Sequence, residues 1–132
     1  MQTEQLQGLR NEKYLSLTTF RRDGRAVATP VWFAIEGDHL LVNTGSASGK
    51  IKRIRHNPQV TVAACTGRGR VTGPVLPATA SILPQSEGER VERLFDARYP
   101  VAKPVLGTLN RLVRLVRRQP PESSIYLQIA LR

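Results

Sequence analysis

Lys50, Lys52, Arg53 and Arg55 fall within six residues of one another, directly after the small and polar stretch Gly45-Ser46-Ala47-Ser48-Gly49. Ile51 and Ile54 stand at helical spacing among them, and Asn57-Pro58 follows. This pattern predicts a loop, a short basic helix capped by Ser46 or Ser48, and a stop at Asn57-Pro58. Cations in a first helical turn oppose the macrodipole and cost about 0.3 to 1 kcal/mol each. A bound anion offsets that cost, because free backbone N–H groups, the dipole and the cationic side chains then converge on one phosphate. A solvated basic face with both isoleucines packed inward is the alternative that spacing leaves open.

A second segment is Thr29-Pro30-Val31-Trp32-Phe33. Its β-propensity is good except at Pro30, which cannot donate to a strand ladder and so leaves neighbouring backbone groups free to meet a ligand. An edge-strand proline that only blocks aggregation is the other reading. Other chemistry finds little support. His39 opens a strand after a turn, His56 ends the basic helix where a cation suits the dipole, and Cys65 in an alternating strand reads as a small buried hydrophobe. The ten carboxylates cluster in turns and in one first helical turn, so paired acid/base chemistry is not expected, nor is metal ligation.

These segments must be positioned by a mostly β scaffold. Residues 13–21 alternate at period two, and Arg22-Asp23-Gly24 is a strong hairpin turn. Residues 25–35 form a second strand, with Val27, Thr29, Val31, Phe33 and Ile35 on one face, and Glu36-Gly37-Asp38 turns it back into a third strand at 39–44. Residues 59–65 read as a fourth strand, 66–69 as a turn, and 70–83 as a fifth strand broken by Gly73-Pro74 and Pro77. Ser86-Glu87-Gly88-Glu89 reads as a capping box for a helix that buries Val91, Leu94 and Phe95. A further helix is expected over 103–118, ended by Pro120-Pro121, and a last strand over 125–131. Six strands with helices inserted after the third and fifth point to an antiparallel barrel or sandwich.

The chain has 132 residues, a length that suits a single domain spanning 1–132 with roughly two-thirds of its unfolded surface buried. The longest uninterrupted apolar run covers only 31–35, so no membrane span is expected. The N-terminus has no apolar stretch behind its charges, which makes the cytoplasm the expected compartment. One cysteine excludes an intrachain disulfide. The net charge of +10 rests on sixteen arginines and only four lysines, and arginine suits bidentate contact with phosphate or carboxylate. An anionic partner is therefore expected. Seven aromatics without interleaved basic residues argue against a nucleic-acid surface. Arg111, Arg114, Arg117 and Arg118 sit near a helix C-terminus, where the dipole favours them without any ligand.

Taken in order, Thr-Pro-Val-Trp-Phe at 29–33, Asn-Thr-Gly at 43–45, Ser-Gly-Lys-Ile-Lys-Arg-Ile-Arg at 48–55 and Asn-Pro-Gln-Val at 57–60 resemble the split-barrel flavin/deazaflavin oxidoreductases related to pyridoxamine 5′-phosphate oxidase. The sequence is most similar to their coenzyme F420-dependent members, over about the first two-thirds of the chain and the final strand. The resemblance implies a mainly β fold, a six-stranded antiparallel split β-barrel of the FMN-binding split-barrel type with short inserted α-helices. It places the cofactor phosphate on Thr44, Ser48, Lys50, Lys52 and Arg55, and the ring edge on Thr29, Pro30, Val31 and Trp32. It also implies a homodimer with the cofactor at the subunit interface and hydride transfer to a small conjugated organic substrate. F420 is expected ahead of FMN, because its phosphodiester and glutamyl tail spread several negative charges along a groove that an arginine-rich chain suits. An FMN-dependent oxidase or reductase and a non-catalytic F420 carrier are the alternatives. One departure stands at 78–80, where Ala-Thr-Ala replaces the usual Gly-Thr-Ala, and the added methyl is expected to narrow the groove.

Overall fold

Period-two alternation makes each strand present one apolar face, and pairing every strand on both edges is the way to bury six such faces without an open sheet. The computed structural model, which describes residues 2–45, 48–99 and 124–132, has this arrangement. Strands β1 (Tyr14–Phe20), β2 (Ala26–Glu36), β3 (His39–Gly45), β4 (Gln59–Cys65), β5 (Leu76–Ile82) and β6 (Ser124–Leu131) close a barrel in the order β1-β2-β3-β6-β5-β4. All neighbours are antiparallel, and Leu15 opposite Ala64 belongs to the β1–β4 seam that closes it.

Leu15, Leu17, Phe33, Leu40, Val42, Val60, Val62, Leu127 and Ile129 fill the interior and are almost wholly buried. Helix α1 (Gln2–Leu9) adds Leu6 and Leu9 to this core, and α2 (Gly49–His56) adds Ile51 and Ile54. No element was expected over 1–12; the signal there is only the Leu6/Leu9 pair at i, i+3 spacing. Outside the barrel, α3 (Gly88–Arg98) covers Ala34, Leu41 and Tyr126 with Val91 and Phe95. That cover explains why Leu40, Leu41 and Val42 are all buried although they alternate between faces.

Tyr99, just past α3, stacks on Trp32 with ring centroids 4.7 Å apart. Its hydroxyl lies 2.8 Å from the Lys13 carbonyl and 2.9 Å from the Phe33 carbonyl. Arg98 sits over the Phe33 ring at 4.4 Å and donates to the carbonyls of Arg10 and Glu12, so the end of α3 is tied to the α1–β1 connection. Arg90 is bonded to Glu36 and Glu87, and both contacts hold its guanidinium above its ordinary pKa.

Two expectations are corrected. The capping box at Ser86 does not form, and a 3-10 turn over Gln85–Glu87 leads into α3 without a side-chain cap. The carboxylates meant for it are engaged elsewhere, Glu87 with Arg90 at 3.0 Å and Glu89 with Arg93 at 3.1 Å. The fifth strand is shorter than expected, because after an isolated bridge between Cys65 and Val71 the Gly73-Pro74 break delays regular pairing until Leu76. The helix expected over 103–118 lies outside the described residues.

Cys65 is buried and free, and burial pushes its thiol up, with the Glu12 charge adding to the effect. Gly88 is a close-approach glycine, since a Cβ there would stand 2.7 Å from the Tyr126 ring. Gly88→Ala is therefore expected to destabilise the fold by about 1–3 kcal/mol through overpacking, read as a lowered thermal midpoint.

Candidate functional site

The basic helix forms where the spacing predicted it. Ser48, in an extended conformation, caps α2, its Oγ accepting from the Lys50 N–H at 3.2 Å. Asn57 ends the helix and donates its N–H to the Arg53 carbonyl at 2.7 Å. Because Ile51 and Ile54 are committed to the barrel core, the exposed positions of this two-turn helix fall to Lys52, Arg55 and His56.

The helix lies against β1, whose hairpin turn supplies the facing wall. Gly24 adopts φ +89°, a left-handed conformation that glycine takes without strain, and donates to the Arg21 carbonyl at 2.9 Å. Asp23 is occupied locally by the Arg25 backbone N–H at 3.0 Å and the Arg25 guanidinium at 2.7 Å. Arg21 and Arg22, which make no ion pair with the described residues, stand beside α2.

Two adjoining grooves result. The first, about 530 Å³, runs between Phe20, Arg21 and Arg22 on one side and Gly49, Lys52, Arg53 and His56 on the other. The second, about 580 Å³, continues past Arg22 to Ser48, Ile51 and Arg55. They share Arg22, Gly49, Lys52 and His56, and among the described residues no carboxylate lines either. Five cations around one concave surface, four of them arginines, make a positive field suited to an extended anion.

Of the expected cofactor residues, the structure brings Ser48, Lys52 and Arg55 together in this groove. Lys50 is half-buried on the same helix but lines neither groove, and Thr44 is buried in β3 opposite Ile125. Thr29, Pro30, Val31 and Trp32 lie in β2 and do not line the groove either. Val31 packs on the barrel core, Pro30 is exposed, and Trp32 packs outward against Tyr99. The Thr29 Oγ1 is buried with no hydrogen-bond partner among the described residues. Among the described residues, β2 along 26–32 is paired with β1 alone, and β3 joins it from Phe33 onward. Pairing with β1 runs unbroken through Pro30, which stands opposite Ser16, so the interruption expected there does not occur on that side; among the described residues the other side is an edge. The methyl of Ala78 points into the barrel core and does not narrow the groove, because this strand position faces inward opposite Val60.

Arg21, Arg22 and His56 were missed as site residues. The only sequence signal for the arginines was their place beside an Asp-Gly turn; their approach to α2 depends on how that helix packs on β1. Among the described residues, no group of three or more His, Cys, Asp or Glu side chains is placed to hold a metal. No helix there is long and apolar enough to cross a membrane.

Several solved structures share this fold. A FAD-binding protein from Mesorhizobium loti superposes with a TM-score of 0.64 at 21% identity, covering 100% of this chain and 88% of that one. The heme storage protein HutZ from Vibrio cholerae gives 0.66 at 14% identity, covering 98% and 89%. An F420 reductase gives 0.58 at 18% identity, covering 94% and 90%. Curated proteins gave no match. The pyridoxamine 5′-phosphate oxidase family model, in contrast, matches residues 1–122, which take in the barrel through β5, the basic helix and the Arg21–Arg22 turn. With a closed six-stranded antiparallel barrel and a family match over nearly the whole chain, the protein belongs to the pyridoxamine 5′-phosphate oxidase family.

Proposed function

We propose that the protein is an F420-dependent oxidoreductase that reduces a small conjugated organic substrate. The observation that carries this reading is the α2 groove, whose cations line adjoining cavities with no carboxylate among the described residues there. A mononucleotide phosphate would occupy one end of such a surface; a phosphodiester followed by a carboxylate-bearing tail would use its whole length. When bound, the deazaflavin supplies the hydride chemistry, and the protein supplies orientation and a charged cradle.

The residues present fit the group. Ser48, Lys52 and Arg55, which line the groove, would hold the phosphate end. The Thr29 Oγ1 and the outer edge of β2, which have no hydrogen-bond partner among the described residues, would meet the ring edge. Because Thr29, Pro30, Val31 and Trp32 stand outside the groove of their own chain, a ring that meets them while its phosphate sits on α2 is best served by two subunits. A homodimer with the cofactor at its interface is part of this proposal.

Titration with F420 and with FMN, followed by absorbance or fluorescence at low and moderate salt, tests it. F420 is expected to bind more tightly than FMN at both salt concentrations. FMN binding without F420 binding would replace this reading by an FMN-dependent enzyme on the same fold. Failure of the reduced cofactor to turn over a panel of conjugated substrates would leave an F420 carrier, a reading kept open by a fold shared with a heme storage protein.

A further inference from the structure

Arg53 of α2 has its geometry constrained by the barrel. Its Nε donates to the Thr19 Oγ1 at 2.6 Å, and Thr19 is fully buried in β1. That contact consumes one N–H of the guanidinium and leaves the four on Nη1 and Nη2. Nη1 then lies 2.6 Å, and Nη2 3.7 Å, from where a Cβ at position 49 would stand, so the guanidinium occupies the space that Gly49 leaves open. Neither Nη has a hydrogen bond or ion pair with the described residues, and both belong to a side chain lining the groove that Arg21 and Arg22 close from the opposite side.

We propose that Thr19 and Gly49 are positioning residues that hold the Arg53 guanidinium as a fixed receptor for a phosphate ester, facing the Arg21–Arg22 turn. A guanidinium pinned at Nε keeps its two Nη groups as a planar fork, the geometry that engages two phosphate oxygens at once. A free arginine side chain loses rotamer freedom on binding, whereas this one has lost it already on folding. Lys52 and Arg55, exposed on the helix surface, contribute charge without that constraint. The assignment rests on reading the α2 groove as the cofactor's phosphate site.

The test measures F420 binding and thermal midpoint together for Arg53→Gln, Arg53→Lys, Thr19→Val, Thr19→Ser and Gly49→Ala, with inorganic pyrophosphate as a competing probe. Arg53→Gln is expected to weaken F420 and pyrophosphate binding about tenfold or more, the loss of a charge-assisted contact. Arg53→Lys keeps the charge but not the fork and is expected to recover only part of it. Thr19→Val and Gly49→Ala are expected to weaken binding about threefold to tenfold with the charge unchanged, while Thr19→Ser binds as the parent does. A merely structural role for Thr19 would lower the midpoint and leave the dissociation constant of the folded protein unmoved. If Thr19→Val fails to fold, Gly49→Ala carries the same test.

Unchanged binding in Arg53→Gln, with Lys52→Ala and Arg55→Ala weakened, would overturn this inference and leave the proposed cofactor site standing. Weakening in Arg53→Gln with neither Thr19→Val nor Gly49→Ala affected would overturn the positioning roles. Unchanged binding in all of the α2 variants would overturn both the inference and the site.

Discussion

Tyr99→Ala should lower the stability of the protein by about 3–5 kcal/mol, the range for deleting a buried aromatic side chain. For a domain of this length that is a fall in thermal midpoint of roughly 10–20 °C. The size of the effect follows from how much converges on one residue. The ring stacks on Trp32 at 4.7 Å and on Phe95 at 6.1 Å, and the hydroxyl reaches the carbonyls of Lys13 and Phe33. Alanine opens a cavity between α3 and β2 and also leaves the Lys13 and Phe33 carbonyls without the hydroxyl. Tyr99→Phe separates the two contributions, keeping the stacking while removing the hydroxyl, and is expected to cost about 1–3 kcal/mol. Chemical denaturation of both variants measures the split. A Tyr99→Ala protein as stable as the parent would mean that α3 is held on the barrel by its other contacts, Val91 and Phe95 in the packing and Arg90 and Arg98 in the hydrogen bonds.

The second large effect concerns binding. Arg55→Ala is expected to weaken F420 binding by about 1.5–3 kcal/mol, roughly tenfold to a hundredfold, if a charge-assisted phosphate contact is lost. Lys52→Ala should act in the same direction, because Lys52 lines both adjoining grooves and Arg55 lines one. Neither side chain supports the fold, since both are exposed on α2, so midpoints should stay close to that of the parent. Salt distinguishes a local cradle from a general basic surface. A polymeric anion held by the overall charge of +10 would be released steeply by salt, with no special dependence on these two residues. Fluorescence titration at two ionic strengths reads both quantities, and unchanged dissociation constants in both variants would remove α2 from the site.

The strands, their turns and α2 were legible in the sequence because each is specified locally. Period-two alternation marks β1 to β4, Asp23-Gly24 marks the first hairpin, and Ser48 with Asn57-Pro58 brackets the basic helix. Less legible were features in which one residue serves two demands. Glu87 and Glu89 have the spacing of a cap, yet Arg90 and Arg93 take their carboxylates. Leu6 and Leu9 make too short a pattern to announce α1, which forms because the barrel core gives those leucines somewhere to go. The alternation of β3 concealed that both its faces are covered, one by the core and one by α3.

For the candidate site the division is similar. The residue types along 48–55 determined by themselves that a capped, basic two-turn helix would form with two isoleucines buried, and hence that a cluster of cations would face outward. Periodicity and capping act over a few residues, so a linear reading captures them. Only the closed barrel decided which cations share a concavity. Packing α2 on β1 brought Arg21 and Arg22 across from Lys52, set the Thr19 hydroxyl against Arg53, and left the Thr29 to Trp32 segment outside the groove. Those juxtapositions join residues about thirty positions apart in the chain, and their physical cause is the burial of Ile51 and Ile54 in the core, which fixes where the helix must lie.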